Sequence, residues 1–492
     1  MKHQERVDRA TAALTDAATA VKNERFRLRY HLMPPVGWMN DPNGLIYYRG
    51  EYHAFYQHYP FEPRQGPMHW GHAVSKDLVH WRHLPIALAP SEPYDIDTCG
   101  SAGGCWSGSA VEHDGKLALV YTAHVDGNDP AEVQCIALSE DGVRFHKNAA
   151  NPVIGGPPDK ECFGFRDPKV WKQGDEYRMI VGYGKDGKGK ALLYRSADLT
   201  SWTYVGIAAE SDGTMGDMWE CPDLFPLGDD GRNVLIFSPM NFGAIKTMYH
   251  TGHFDDATGK LSTDYAERLD YGFDFYAPQT LVDGQGRRIL LAWMNIWGSD
   301  MTERVDRWLG AMTIPRELTL ERDGTLRMTP VPELQALRGA RHTVAGRLIG
   351  GETGGTFRPA LRGDALELVF SFDVSSTAAV AFGLRLRMSA DDKQYVEIGY
   401  RREDRTLYVD RSNTGRGDGG VSEVVVEPSP DGKLKLHAFL DRSSLELFAN
   451  DGVKTMTNRI YPEPDSLGLE LFASGGPAAL LAFEAWELKS IW

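Results

Sequence analysis

From Tyr30 to about Thr329 the chain runs in short stretches of alternating apolar and polar residues, each closed by a Gly, Asp or Asn turn. No stretch of helical period separates them. Five hairpin-like segments repeat: Asp41-PNGLIYYRGEYHAFYQ, Ser107-GSAVEHDGKLALVYT, Asp167-PKVWKQGDEYRMIVG, Pro222-DLFPLGDDGRNVLIFS and Ala277-PQTLVDGQGRRILLAW. Their starts lie about 66, 60, 55 and 55 residues apart. A second echo, in Ser75-KDLVHW, Ser139-EDGVRF and Ser196-ADLTSW, reads as an outer turn leading to an aromatic residue. Units of about four strands predict a five-bladed β-propeller over residues 28–329, with the first strand of each blade facing a central channel. Asp41, Trp106-Ser107, Asp167, Glu220 and Gln279 are then expected around one funnel.

The flanks follow other patterns. Val7, Leu14 and Val21 recur every seven residues among good helix formers, which predicts a short N-terminal helix within residues 1–27, packed on the body of its own subunit. Residues 330–339, with Val331-Pro-Glu-Leu-Gln-Ala-Leu-Arg338, read as a short helical connector. Beyond it, Ala365-LELVFSFDV, Tyr395-VEIGYR and Leu434-KLHAFLDRSSLELFANDG alternate as half-buried antiparallel strands do, so residues 340–492 are expected to form a β-sandwich. The fold class is therefore all-β. The helix and the sandwich both offer surfaces for a homo-oligomer.

Composition narrows the ligand. A length of 492 residues with 42% hydrophobic content suits two cores, and a formal net charge of −15 without a Lys/Arg cluster argues against nucleic-acid binding. The charged, Ala-rich start has no apolar stretch of signal-peptide length, and no run is long enough to span a membrane, so a cytoplasmic protein is expected. Five Cys (Cys99, Cys105, Cys135, Cys162, Cys221) without C-x-x-C spacing favour free thiols; Cys99 and Cys105 flank a Gly-rich loop and come near enough in sequence to approach each other. The run His69-Trp70-Gly71-His72, with His80 and His83, matches no zinc motif and reads as structural hydrogen bonding, so no metal is expected there.

A funnel holding several carboxylates and aromatic residues but little positive charge suits glycoside hydrolysis, and the expected partner is a small sugar. Asp41 sits in a polar turn with Pro42 and Asn43 and is assigned as nucleophile. Glu220 follows Trp219 in an apolar setting near two other acids; desolvation and like charge are expected to keep it protonated as a general acid. Asp167 beside Arg166 is expected to stay ionised and to hold sugar hydroxyls. Glu161-Cys162 mimics Glu220-Cys221 but lies off the repeat start and ranks below it. Trp38, Trp70, Trp106, Trp219 and Trp293 are candidates either for a sugar-binding face or for packing between blades.

Several ordered motifs resemble glycoside hydrolase family 32, the invertases, levanases, inulinases and bacterial sucrose-6-phosphate hydrolases. They are Trp38-MNDPNG, Phe55-YQ, Trp70-GHAVSKDLVHW, Ser107-GSA, Phe165-RDP, Glu220-CPD, Tyr276-APQT and Phe439-LDRSSLELF. The resemblance implies a retaining β-fructofuranosidase with Asp41 as nucleophile, Glu220 as acid/base and Asp167 as transition-state stabiliser, working without cofactor. It also implies a fructose pocket of Trp38, Asn40, Gln57, Trp70, Trp106, Ser107, Arg166 and Trp293. Two departures bear on the leaving group: Gln65-Gly66 stands where many members read Trp-Gly, and Trp106 replaces Phe or Tyr before the Ser-Gly-Ser run. Other readings are a fructosyltransferase on the same site, a related arabinan-type hydrolase, and a non-catalytic sugar-binding propeller.

Overall fold

The computed structural model describes residues 2–19, 21, 25–96 and 102–492. Thirty residues into the chain, β-structure takes over and forms five sheets in sequence order. The first strands of these sheets are Gly37–Tyr48, Gly104–His113, Gly164–Gln173, Trp219–Pro226 and Tyr276–Val282. Each is followed outward by three antiparallel neighbours. Each first strand touches the first strand of the next sheet, and the fifth touches the first. Trp308–Leu309, from the fifth unit's stretch of chain, runs parallel to Gly37 and Trp38 and joins the first sheet from outside its own sequence.

Hydrophobic clusters fill every gap in this cycle. Phe55 and Trp70 meet Leu119 and Tyr121 between the first and second sheets; Val120 meets Met179 and Val181 between the second and third. Ile180 and Leu193 meet Trp219 and Phe237; Ile236 meets Leu290; Leu291 closes back on Met39 and Tyr56. Each sheet is thus buried on both faces, which is why Lys116–His124 (KLALVYTAH) reads as an almost unbroken apolar run.

From Arg338 the chain forms two six-stranded antiparallel sheets that share one core, with Leu366, Leu368 and Phe370 of one facing Phe382, Leu384 and Ile398 of the other. The expected connector is a 3-10 turn, Pro332–Leu337. The N-terminal helix spans His3–Ala18 and buries Val7, Ala10 and Leu14 against Val36, Ile86 and Ala89 of the same chain, with Val21 beyond its end. No helix among the described residues is long and apolar enough to cross a membrane.

A buried ionic cluster staples the two parts together. His31 stands between Asp441 (2.7 Å) and Glu446 (2.8 Å), and Arg316 donates to Glu446 and, at 3.1 Å, to Asp270. Asp441 also accepts the backbone N–H groups of Arg29 and Tyr30, so the segment entering the first sheet is pinned by the second unit. All five side chains of these pairs, His31, Arg316, Asp270, Asp441 and Glu446, are fully buried. The Phe439-LDRSSLELF motif therefore supplies an interface, through Asp441 and Glu446. Removing one partner strands a buried charge, so Glu446→Ala should lower stability by about 3–5 kcal/mol, read as a lower denaturation midpoint.

Burial alone would push the His31 imidazole down; the two carboxylates outweigh it and hold its pKa at about 9. The pKa is raised on folding, so the stabilisation is complete below the unfolded value of about 6.5 and is lost as pH rises through about 9. The midpoint should fall between pH 7 and pH 10 more steeply in the parent protein than in His31→Gln.

Candidate active site

All five first strands break their ladder at the same place. Pairing slips between Met39 and Pro42, between Cys105 and Gly108, opposite Ile180 and Gly182, between Glu220 and Asp223, and between Tyr276 and Gln279. Four of these breaks carry a proline that has no N–H to give the ladder: Pro42, Pro168, Pro222 and Pro278. Asp167, Cys221 and Ala277 precede three of them with φ of 64°, 49° and 50°, the left-handed region. The remaining break uses Gly108, where a Cβ would lie 2.0 Å from the Val120 carbonyl oxygen. Each bulge turns a side chain out of the sheet face toward a common point.

That point is a cavity of about 370 Å³ lined by Asn40, Asp41, Gln57, Gln65, Met68, Trp106, Ser107, Arg166, Asp167, Glu220, Met240, Tyr276 and Trp297. The three expected acids are together. Of the five strand starts, Gln279 is the exception: its bulge turns Tyr276 to the cavity instead, and the Gln279 amide donates to the Gly108 carbonyl at 2.7 Å beneath the floor.

Asp41 is held from two sides. Ser107 Oγ donates to it at 2.6 Å and Asn40 Nδ2 at 3.0 Å, while Asn40 is itself fixed by the Trp38 indole N–H at 2.6 Å. Burial raises the Asp41 carboxyl to about 6; these donors oppose the rise and the Glu220 charge adds to it.

Asp167 and Glu220 differ from the expectation. Arg166 adjoins Asp167 in sequence, but its Nε donates to Glu220 Oε1 at 2.9 Å and its Nη1 to Glu132 Oε1 at 2.9 Å. The Asp167 carboxylate receives the Cys221 backbone N–H at 2.9 Å. Burial, followed by repulsion from Glu220, raises the Asp167 carboxyl well above the usual range, and Arg166 only partly offsets this. Glu220 is not in an apolar setting: its second oxygen accepts from the Tyr276 hydroxyl.

The aromatic candidates divide. Trp106 lines the cavity, its ring stacked flat on His124 at 3.7 Å. Trp70, Trp219 and Trp293 are completely buried, and Trp38 nearly so; none of these four lines the cavity. Trp70 donates to the Trp106 carbonyl at 3.1 Å, Trp219 stacks on Phe237, and Trp293 packs on Trp38 and Trp297. These large rings are needed in the seams between sheets, so they support the wall from behind. Trp297, which the sequence reading passed over, is 41% exposed at the rim and stacks on Trp38 at 5.6 Å, an aromatic surface on the same cavity as Gln65.

Of the remaining candidates, Glu161 is exposed and lines no part of the cavity. His69 pairs with the Pro67 carbonyl, His72 with His53 and His80 with Asp77. Cys105, Cys135, Cys162 and Cys221 are free thiols, and Cys99 lies outside the described residues. Met68, Met240, Tyr276 and the Glu132–Arg166 pair were not foreseen; only Tyr276, as the start of a repeated motif, left a signal.

The chain matches the family model "Glycosyl hydrolases family 32 N-terminal domain" over residues 31–330 and "Glycosyl hydrolases family 32 C terminal" over residues 333–487. It is 40% identical to a sucrose-6-phosphate hydrolase of Escherichia coli over 95% of this chain and 96% of that protein. It is 39% identical to a raffinose invertase of Escherichia coli over 99% and 100%. Among solved structures, a mutant family 32 beta-fructofuranosidase of Bombyx mori in complex with sucrose is similar at TM-score 0.82 and 35% identity, over 98% of both chains.

A carboxylate can attack only when ionised, so kcat/KM of any reaction initiated at Asp41 should fall on the acid side through an apparent pKa near 6. The Ser107 hydrogen bond favours the ionised form, so Ser107→Ala should move that limb to higher pH. A pH–rate profile of the two proteins checks the shift.

Proposed function

The chain belongs to glycosyl hydrolases family 32, and from that premise we propose that it hydrolyses sucrose as a retaining β-fructofuranosidase at the cavity around Asp41. The observation that carries this reading is the convergence of Asp41, Asp167 and Glu220 on one cavity of monosaccharide scale, with a hydroxyl and an amide trained on Asp41. The five sheets are read as propeller blades, supported by the cyclic contacts of their first strands, and the two later sheets as a sandwich. Domain limits of 28–329 and 340–492 fit the two matched stretches.

In the proposed first step the Asp41 carboxylate attacks the anomeric carbon of the fructosyl unit as the glycosidic bond breaks. Glu220 delivers its proton to the departing glucosyl oxygen, leaving a fructosyl–Asp41 ester. In the second step Glu220 takes a proton from water, which attacks the same carbon and frees Asp41. Asp167 holds fructose hydroxyls. Hydroxyls donating to Asp167 favour its ionised form. Asn40, Gln57, Trp106 and Ser107 complete the fructose side; Gln65 and Trp297 face the leaving group.

The charge pattern favours plain sucrose over its 6-phosphate. Arg166 is the one cation among the described lining residues, and two carboxylates already occupy it. Arg64 is paired with Glu62 and Lys185 with Asp159, and neither they nor Arg304 line the cavity. A phosphate dianion would meet uncompensated negative charge.

Asp41→Ala should abolish fructose release from sucrose and Glu220→Ala should lower kcat by about 10²–10⁴-fold, each with unchanged circular dichroism. A fully active Asp41→Ala protein overturns the reading. Mainly free fructose at high sucrose, rather than oligosaccharides, separates hydrolysis from transfer. For substrate choice, kcat/KM on sucrose should exceed that on sucrose 6-phosphate.

A further inference from the structure

We propose that Glu132 is a positioning residue for the acid/base step, sharing the Arg166 guanidinium with Glu220 so that Glu220 can gain and lose a proton in each turnover. The proposal rests on the reading of Glu220 as acid/base. Glu132 opens the strand Glu132–Ser139, the third strand of the second sheet, and does not line the cavity. It is buried, and both of its oxygens point at the Phe165-Arg166-Asp167 turn. Oε1 accepts from Arg166 Nη1 at 2.9 Å and Oε2 from the Phe165 backbone N–H, so one carboxylate orients both the guanidinium and the main chain that carries Asp167. His124 Nδ1 lies 3.5 Å from Oε1, and the His124 ring supports Trp106.

The charge count is what makes this more than a scaffold. Arg166 with Glu220 alone would be a neutral buried pair; Glu132 is a second anion on the same guanidinium, behind a cavity that already holds Asp41 and Asp167. A neutral acceptor could make the same bond to Nη1 without the cost of burying another charge. Burial acts to raise the Glu132 carboxyl, and Arg166 with His124 outweighs it and keeps the group ionised. With its charge shared between two carboxylates, Arg166 orients Glu220 through Nε while offering it less than a full counter-charge. Tyr276 fixes the other oxygen, so Glu220 keeps its place in either protonation state.

Glu132→Gln removes the charge and keeps an acceptor for Arg166. The full guanidinium charge then falls on Glu220 and disfavours its acid form. The basic limb of kcat/KM on sucrose should move to lower pH by about one unit, a roughly tenfold loss above that limb. An aryl β-fructofuranoside with a p-nitrophenolate leaving group needs no proton, so its kcat/KM should stay near the parent value. An unmoved basic limb, or equal losses on the two substrates, overturns the proposal. If Glu132→Gln does not fold, Glu132→Asp measured on the same two substrates decides: a larger loss on sucrose supports the role and equal losses overturn it. A parent protein that releases no fructose from sucrose removes the hydrolase reading itself, whereas an active parent with an unmoved limb removes only the role of Glu132.

Discussion

A regular strand sends neighbouring side chains to opposite faces, and in this molecule both faces of the five inner sheets are filled by clusters of buried apolar residues. A carboxylate can reach the cavity only where the ladder gives way. The repeated slip in the first strands meets that constraint, and four X-Pro steps and Gly108 make it locally tolerable. Left-handed backbone at Asp167, Cys221 and Ala277 is the conformational cost of three of these breaks. The rest of the architecture holds these five breaks level with one another.

Converging acids create an electrostatic problem that the neighbours of each acid resolve differently. Asp41 receives neutral donors from Ser107 and Asn40, which moderate its pKa without cancelling its charge. Asp167 receives a backbone N–H and stays strongly perturbed. Glu220 receives a guanidinium and a phenol. Three identical functional groups thus acquire three environments, and a difference in environment is what lets carboxylates divide nucleophilic, stabilising and proton-transfer work. The second unit contributes at a distance: Asp441 and Glu446 tie down residues 29–31, just before the strand that carries Asp41.

Much was legible in the chain. The spacing of the Pro-containing turns located the first strands and set Asp41, Asp167 and Glu220 at or beside the same break, because a repeat imposes equivalent positions whatever its neighbours are. Alternation after residue 340 exposed the second β-rich unit for a similar reason, period 2 being a property of the strand itself. The N-terminal heptad marked a helix but overran it, since Val21 continues the spacing after the helix has ended at Ala18.

Partnership was not legible. Arg166 beside Asp167 looked like an ion pair, yet a bulge aims adjacent side chains apart, and Arg166 reaches Glu132 and Glu220, 34 and 54 residues away. Trp70 and Trp293 stood open between a sugar-binding face and packing between sheets; the seams claimed them, and Trp297 from a loop took the rim. Gln279 yielded its expected place to Tyr276 because the slip in pairing falls between them. The sequence by itself determined the repeat, the class of fold and the identity of the acids, all of which depend on local pattern. Only the tertiary structure decided which charge meets which, because side-chain direction at a broken ladder and contact across a cavity depend on strands remote in the chain.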